Sequence, residues 1–214
     1  MPTAKELHHQ KLLGTGGEMT VYAASMFAGK TGTLIREILK YQRAEIPTLV
    51  FKHSLDDRYS GVGELTSHDG LRVPCEAYAD PYVIYRRVQE VDPLVVAIDE
   101  AQFFMDESAD RLAQVLARLV GEGRVVIVAG LELDFRGRVF GAMGQLMAQA
   151  DKVEKLTAVC AVCGSTKANR TQRLINGKPA SYNDPVVLVG AAEAYEARCA
   201  VCHEVPDAPS IIFP

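Results

Sequence analysis

The chain has 214 residues, and its 23 lysines and arginines against 27 aspartates and glutamates leave a formal charge of −4. That balance excludes a general electrostatic footprint for nucleic acid, while the length supports one domain with a substantial core and a small appendage. No apolar run reaches the length of a membrane span and the opening MPTAKELHHQKLLGTGGE is too polar for a secretory signal, so no membrane partner and a cytosolic setting are expected.

Residues 1–17 read as a solvated lead-in, with His8 and His9 as part of it rather than as metal ligands. The first expected strand, TVYAAS from Thr20, runs into ASMFAGKT, and the helical pattern TLIREILKYQR follows with Leu34, Ile35, Ile38 and Leu39 on one face. A glycine-bearing turn between a strand and a helix is the setting of a phosphate-binding loop. Every position of this loop, Ala24, Ser25, Met26, Phe27, Ala28, Gly29, Lys30 and Thr31, is therefore a candidate nucleotide contact. Gly29 frees backbone N–H groups to face phosphate oxygens, Lys30 reaches the β- and γ-phosphates of a nucleotide, and Thr31 offers its hydroxyl to Mg2+. Ala24 stands where a first glycine is commoner, and its methyl group requires a negative φ there. A helix start with an incidental lysine is the competing reading, against which the flanking strand and helix weigh.

A second strand, TLVFKH from Thr48, leads into Lys52 to Gly70, a stretch dense in charge and glycine that is expected to loop over the phosphate site. Arg58 within it is placed to stabilise charge on a transferring phosphoryl group, a solvated loop arginine being the alternative. Asp80 and Pro81 form a helix start for PYVIYRRVQEV. The strand LVVAIDE from Leu94 then delivers Asp99 and Glu100 to its C-terminal end, the ligand edge of a parallel α/β sheet. Asp99 suits Mg2+, directly or through water, and Glu100 suits accepting a proton from an attacking hydroxyl. Helicases, AAA-type motors and transporter ATPases share an acidic pair but usually need a longer chain, and no NKxD-like guanine-reading motif appears.

A helix from about Asp110 to Val120, stopped by Gly121, places Leu112, Val115, Leu116 and Leu119 on one face. RVVIVAGL from Arg124 gives the fourth strand and a further helix begins near Phe140. Strands alternating with helices indicate βαβ units and a mainly parallel sheet. From Thr157 the texture changes. Cys160 with Cys163 and Cys199 with Cys202 form two CxxC knuckles of a tetrahedral zinc site, with Gly164 suited to the first turn. The 35 residues between the pairs exceed ribbon spacing, so the metal is expected to close the base of a long loop. Disulfides are the alternative that a reducing cytosol disfavours, and Cys75 reads as a buried filler. A nucleic-acid module is disfavoured by the few basic residues of the loop, among them Lys167, Arg170 and Arg173. The expected organisation is thus an α/β protein: a P-loop parallel-sheet core over 18–156, a small zinc-binding domain over 157–205 and a tail over 206–214 with no evident role.

Taken together, ASMFAGKT, KHSLDDRY, SHDG, IDEAQFF, GLELDFRGRVFG, TQRLINGKPASY, VVLVGAAEAY and the paired cysteines resemble the type II thymidine kinase family, in order, from about Gly17 to Val205. The resemblance implies ATP-dependent transfer of the γ-phosphoryl group to the 5′-hydroxyl of thymidine, with deoxyuridine as a second acceptor, in a homotetramer with a zinc-based lasso domain. By position it implies Glu100 as general base, with Lys30 and Arg58 as the other catalytic groups. Asp99 and Thr31 become the Mg2+ contacts, Asp56, Asp57 and Arg58 the phosphate-side loop, and Ala101 and Gln102 further nucleotide-site positions. The lasso residues Val186, Val187, Leu188, Val189 and Gly190 would hold thymine through backbone groups, Tyr195 would close on the nucleoside, and Phe135 would wall the base. Met26, Phe103 and Phe140 are nearby candidates, with core packing the competing reading for the two phenylalanines. Four positions depart from the family pattern: Ala24, Thr33 where Glu is frequent, Glu132 where Asp is usual, and Ala191 in place of the second glycine of a pair. Two other classes stay open on sequence, a P-loop ATPase or nucleotide switch, and a zinc-clipped binding module with a degenerate P-loop.

Overall fold

The computed structural model describes residues 17–55, 63–187 and 194–210. Strand β1 (Glu18–Ala23) precedes helix α1 (Lys30–Arg43), and β2 (Thr48–His53), the short hairpin β3 (Glu64–Thr66) and β4 (Arg72–Pro74), and β5 (Glu76–Tyr78) follow. Next come α2 (Pro81–Val91), β6 (Val95–Asp99), α3 (Glu107–Gly121), β7 (Val125–Gly130), α4 (Met143–Gln149) and β8 (Lys152–Lys155). The last strands are β9 (Arg170–Ile175), β10 (Lys178–Pro179) and β11 (Ala194–Arg198).

Six strands form one sheet in the order β5-β2-β6-β7-β1-β8, with every neighbouring pair parallel. All residues of β6 and β7 are buried, because helices cover both faces and a parallel sheet needs apolar side chains on each. Alternation then sorts the side chains. Val96, Ile98, Val126 and Val128 join Ile84, Val88, Leu112, Leu116 and Leu146 of α2, α3 and α4 on one face. Val95, Ala97, Ile127 and Ala129 join Leu34, Ile35 and Ile38 of α1 on the other, with Leu65 and Val73 of the β3–β4 hairpin closing that side.

The local signals account for most of these elements. Asp80 caps α2 through a 2.9 Å bond from the Tyr82 N–H to its Oδ1, and Pro81 takes the first helical position. Three expectations need correction. The sheet has two strands beyond the four that apolar runs mark, β5 and β8, both short edge strands held by pairing with β2 and β1. Helix α3 begins three residues before Asp110 and runs through Gly121, its end fixed by Glu122, whose carboxylate accepts from Tyr85, Gln89 and Arg118. The helix expected near Phe140 starts at Met143, because the Phe140 N–H bonds to Glu132 O at 3.1 Å and Gly141 turns at φ 49°.

A separate antiparallel sheet, β10-β9-β11, follows the six-stranded one in sequence. Its interior is small, built on Ala158, Cys160, Ala168, Ala197 and Cys199. The segment after residue 205 has a structural part that the sequence does not signal: Pro206 O accepts from the Tyr182 N–H at 2.8 Å, and the Ser181 hydroxyl bonds to Asp207 Oδ2 at 2.8 Å. Among the described residues no helix is long and apolar enough to cross a membrane.

Candidate functional site

The order β6-β7-β1 brings the C-terminal ends of three strands side by side, and the chain leaves them as the glycine-bearing loop, the acidic pair and the segment from Leu131. Gly29 caps α1 at φ 78° and ψ 22°. A Cβ there would meet nothing within 4 Å, so the position selects glycine for its left-handed backbone and not for space. Phe27 also holds a positive φ, 64°, the kind of strain that concentrates at ligand loops. Ala24 is fully buried and is not among the positive-φ residues, as its methyl group requires.

Lys30 is only 7 % exposed and donates from Nζ to Ser25 O at 2.9 Å. Burial pulls it below the ordinary lysine value, while Glu100, Asp99 and Glu132 pull it back. The Thr31 hydroxyl donates to Asp99 Oδ2 at 2.8 Å, joining α1 to the end of β6. Burial first, and then repulsion from Glu100, pushes Asp99 up to about 7 against the pull of Thr31, the Glu100 N–H and Lys30. One buried ammonium thus faces three carboxylates, an arrangement suited to polyanion and cation together.

Glu100 sits at φ 55° with its N–H on Asp99 Oδ1 at 2.9 Å. Behind it Gln102 is completely buried. Its Nε2 donates to Glu100 Oε2, and its Oε1 accepts from the Leu131 N–H at 3.0 Å. The two partners fix the amide's orientation, since a carboxylate needs a donor and an N–H needs an acceptor. Gln102 therefore braces Glu100 against β7, where sequence reasoning placed it among nucleotide contacts. The loop after Phe140 closes directly on this turn: a Cβ on Gly141 would lie 2.0 Å from Gln102 O. Glu132, also 7 % exposed, carries an Oε2 with no hydrogen-bond partner.

On the far side of Glu132, Asp134 Oδ1 accepts from the N–H groups of Arg136 and Arg138, both at 2.9 Å, closing a turn that presents Phe135. Phe135 is buried and has two guanidinium groups over its ring, Arg136 at 5.4 Å and Arg173 at 5.2 Å from the ring centre. Arg173 donates to Pro185 O, next to the half-buried Val186 and Val187, and it lies opposite Tyr195 in the β9–β11 pair. Arg173 thus connects the Phe135 ring with the Pro185 carbonyl and with the strand that carries Tyr195. Phe103 and Phe140 pack edge to face at 6.2 Å and are buried, as core packing requires. The Met26 side chain is half-buried and its backbone N–H is taken by Thr171. Asp56, Asp57, Arg58, Leu188, Val189 and Gly190 lie outside the described residues.

An open cleft of about 560 Å³ adjoins the loop, with Phe27, Gly29, Thr33 and Arg36 on one wall and Leu156 to Val159 on the other. Ala101 is buried beneath the acidic pair.

The four paired cysteines come together with all Sγ atoms within 4.8 Å of one another, and Cys163 and Cys199 are 3.8 Å apart. A tetrahedral zinc with bonds near 2.3 Å requires sulfur separations of roughly 3.8 Å, so the donor set and its spacing fit the metal. The thiols are all free, and Cys75 is buried apart from them. Backbone N–H groups, chiefly of Cys163 and then Cys199, hold Cys160 down to about 6, and the Cys202 N–H lowers Cys199. Cys202 is pushed up to about 12 by its side-chain contacts with Cys199 and Cys163. Thiolates so crowded compete for protons, a conflict that a dication relieves.

This combination defines a P-loop α/β nucleotide-binding protein with a four-cysteine clip. The family description "Thymidine kinase" matches residues 17–203, and the chain belongs to that family, which makes it a nucleoside kinase that uses ATP. Among solved structures it is similar to the genome packaging NTPase B204 from Sulfolobus turreted icosahedral virus 2. The complex with ATP-gammaS has 17% identity and a TM-score of 0.42, over 65% of this chain and 74% of that one. The complex with sulfate has 18% identity and a TM-score of 0.44 over the same shares.

Proposed function

We propose that this kinase transfers the γ-phosphoryl group of ATP to the 5′-hydroxyl of thymidine, with deoxyuridine as a second acceptor. The observation that carries the reading is the convergence of Lys30, Thr31, Asp99 and Glu100 at the ends of adjacent strands. Phosphoryl transfer asks a protein mainly for positioning and electrostatics. Lys30, released from Ser25 O, holds the β- and γ-phosphates, and the N–H groups at the start of α1 cradle them. Thr31 and Asp99 offer the hard oxygen donors that suit Mg2+, which when bound neutralises phosphate charge. Glu100 takes the proton of the 5′-hydroxyl, Arg58 is assigned to stabilise charge on the transferring group, and Asp56 and Asp57 are assigned with it to the phosphate side. Phe135 walls the base, the backbone of Val186 to Gly190 reads its polar edge, and Tyr195 closes over the nucleoside. A base that leaves those backbone groups unpaired in the closed site is rejected.

In this reading residues 18–156 are the kinase core, 157–205 the zinc lasso, and the assembly is a homotetramer. The test is ADP release with ATP and Mg2+, comparing thymidine, deoxyuridine, deoxycytidine, deoxyguanosine and no nucleoside. Turnover that depends on thymidine is expected; equal ADP release in every well would make the protein an ATPase, and none at all a binding module.

Gln102 gives a prediction within this scheme. Gln102→Glu keeps an acceptor for the Leu131 N–H but replaces the donor to Glu100 with a second carboxylate. Loss of a charge-assisted bond is worth about 1.5–3 kcal/mol, so kcat is expected to fall about tenfold to a hundredfold with little change in the KM for ATP. Unchanged kcat in steady-state kinetics would show that the brace is dispensable.

A further inference from the structure

Strand β2 ends in a histidine that the transfer chemistry leaves unused. The last pair of β2 with β6 sets Lys52 beside Asp99, and His53 follows, opposite Tyr78 of the edge strand β5. Alternation along the strand turns His53 to the same face as Phe51, where it is 5 % exposed. Its imidazole stands edge-on to Phe104, with ring centres 4.6 Å apart at 86°, and leans on Phe103 at 6.0 Å. Phe104 is itself fully buried, so packing sets the plane of the imidazole. Nδ1 accepts from the Leu55 N–H at 3.1 Å, two residues further along the chain.

An N–H can be received only by a bare ring nitrogen, so Nδ1 carries no proton and the ring is neutral with its hydrogen on Nε2. Protonation would set a second donor against the Leu55 N–H and break the bond. Among the described residues, the titratable and charged groups on the surrounding elements are Tyr78, with Glu76 and Arg87 behind its hydroxyl, and Lys52 and Asp99 at the neighbouring strand end. Burial lowers the ring's proton affinity below the ordinary histidine value, and none of those charges adds to the shift.

We infer that His53 is a positioning residue for phosphoryl transfer: its neutral Nδ1 fixes the direction in which the chain leaves β2 toward Asp56, Asp57 and Arg58. The role rests on the kinase reading, which assigns those three residues to the phosphate side. Both ladders of β2 end at or before His53, so the sheet does not restrain Leu55 and the imidazole does. Asp56 is the next residue and Arg58 only two beyond it. A segment loose at its root is competent for part of the time only, and the rate falls by that fraction.

The test pairs His53→Phe, which keeps the aromatic packing and removes the acceptor, with His53→Asn, whose Oδ1 supplies the acceptor of an ordinary Asx turn to the N–H two residues on. Steady-state rates with thymidine, ATP and Mg2+ are measured on the full zinc-loaded chain, well below the melting temperature of each variant. At mildly alkaline pH, kcat in the phenylalanine variant is expected to fall about threefold to tenfold, the worth of one hydrogen bond, with the KM for thymidine within about twofold. The asparagine variant should stay within about twofold of wild type in both. Asparagine cannot protonate, so the wild-type rate divided by the asparagine rate should be flat at alkaline pH and fall as pH drops below the ordinary histidine range. Asp99 titrates in both proteins and cancels from the ratio. Equal losses in both variants, no loss with phenylalanine, or a ratio that stays flat through the pH at which the ring protonates would each overturn the assignment. That pH comes from 15N-histidine spectra of the wild type, with the His53 signals identified by their absence from the asparagine variant. The same spectra should show Nδ1 unprotonated at neutral pH; a proton on Nδ1 would overturn the assignment even if the phenylalanine variant does not fold. A wild type without thymidine-dependent turnover would sink the kinase reading and the role in transfer with it, while the ring signals would still report whether His53 holds Leu55.

Discussion

Replacing Glu100 by glutamine is expected to lower kcat by about 10²- to 10⁴-fold, the usual worth of a positioned general base, while ATP binding is nearly retained. The substitution is close to isosteric and leaves the unusual backbone at φ 55° as it is, since Glu and Gln do not differ there. Gln102 Nε2 still finds an oxygen to donate to. In the proposed reaction what changes is the atom that would meet the acceptor hydroxyl, which can then neither carry negative charge nor accept a proton. A smaller effect follows at Lys30, whose buried ammonium loses the first of the three carboxylates that favour its charged form. With phosphate bound that loss is compensated, so it belongs in the affinity for ATP and not in kcat. Steady-state rates with thymidine, analogue binding and melting temperature separate the cases. A variant with wild-type kcat would remove Glu100 from the chemistry, and one that loses both binding and thermal stability would make it a structural residue.

What could be read from the sequence follows the range of the forces involved. The phosphate loop, the acidic pair and the Asp80–Pro81 helix start are local devices, each set by residues within a few positions, and each is found where its pattern puts it. The cysteine pairs are legible for a different reason: two CxxC pairs at knuckle spacing are themselves the pattern of a metal-binding donor set. By contrast β5, with sequence EAY, and β8, with sequence KVEK, carry no apolar run, and only the neighbouring strand makes them strands. The same holds for the contacts of Gln102 and Thr171. Gln102 lies two residues beyond Glu100, so proximity to the site was visible, but its second bond goes to Leu131. Thr171 opens the TQRLINGKPASY segment, but nothing in the sequence signals its bond with Met26, 145 residues away. Glu132 was visible only as a departure from Asp after GL, and it leaves a buried carboxylate oxygen without a hydrogen-bond partner two residues beyond β7.

Removing the cysteine clip is expected to have the largest effect on structure. In Cys199→Ser, zinc content should fall well below the one ion per chain that four thiolates bind, and the β10-β9-β11 sheet should lose its cooperative melting. The reason is the poverty of its core: alanines and the cysteines themselves supply most of the buried apolar surface there, too little for some fifty residues to fold alone. Structural zinc contributes about 10–16 kcal/mol of apparent binding energy in small peptides, comparable to or above the stability of a whole domain, about 5–15 kcal/mol. The six-stranded sheet has its own two-sided core of valine, leucine and isoleucine and should remain folded, giving a separate, higher transition in calorimetry. Both substrates should nevertheless bind more weakly. Ala168 and Thr171 no longer hold the phosphate loop, and Arg173 and His203 no longer support Phe135. Native wild-type protein whose four paired cysteines react freely with a thiol reagent, with melting unaltered by a strong chelator, would show that the clip is held by something other than metal. A clip variant that kept ATP affinity while losing zinc would show instead that the phosphate loop is set from its own sheet.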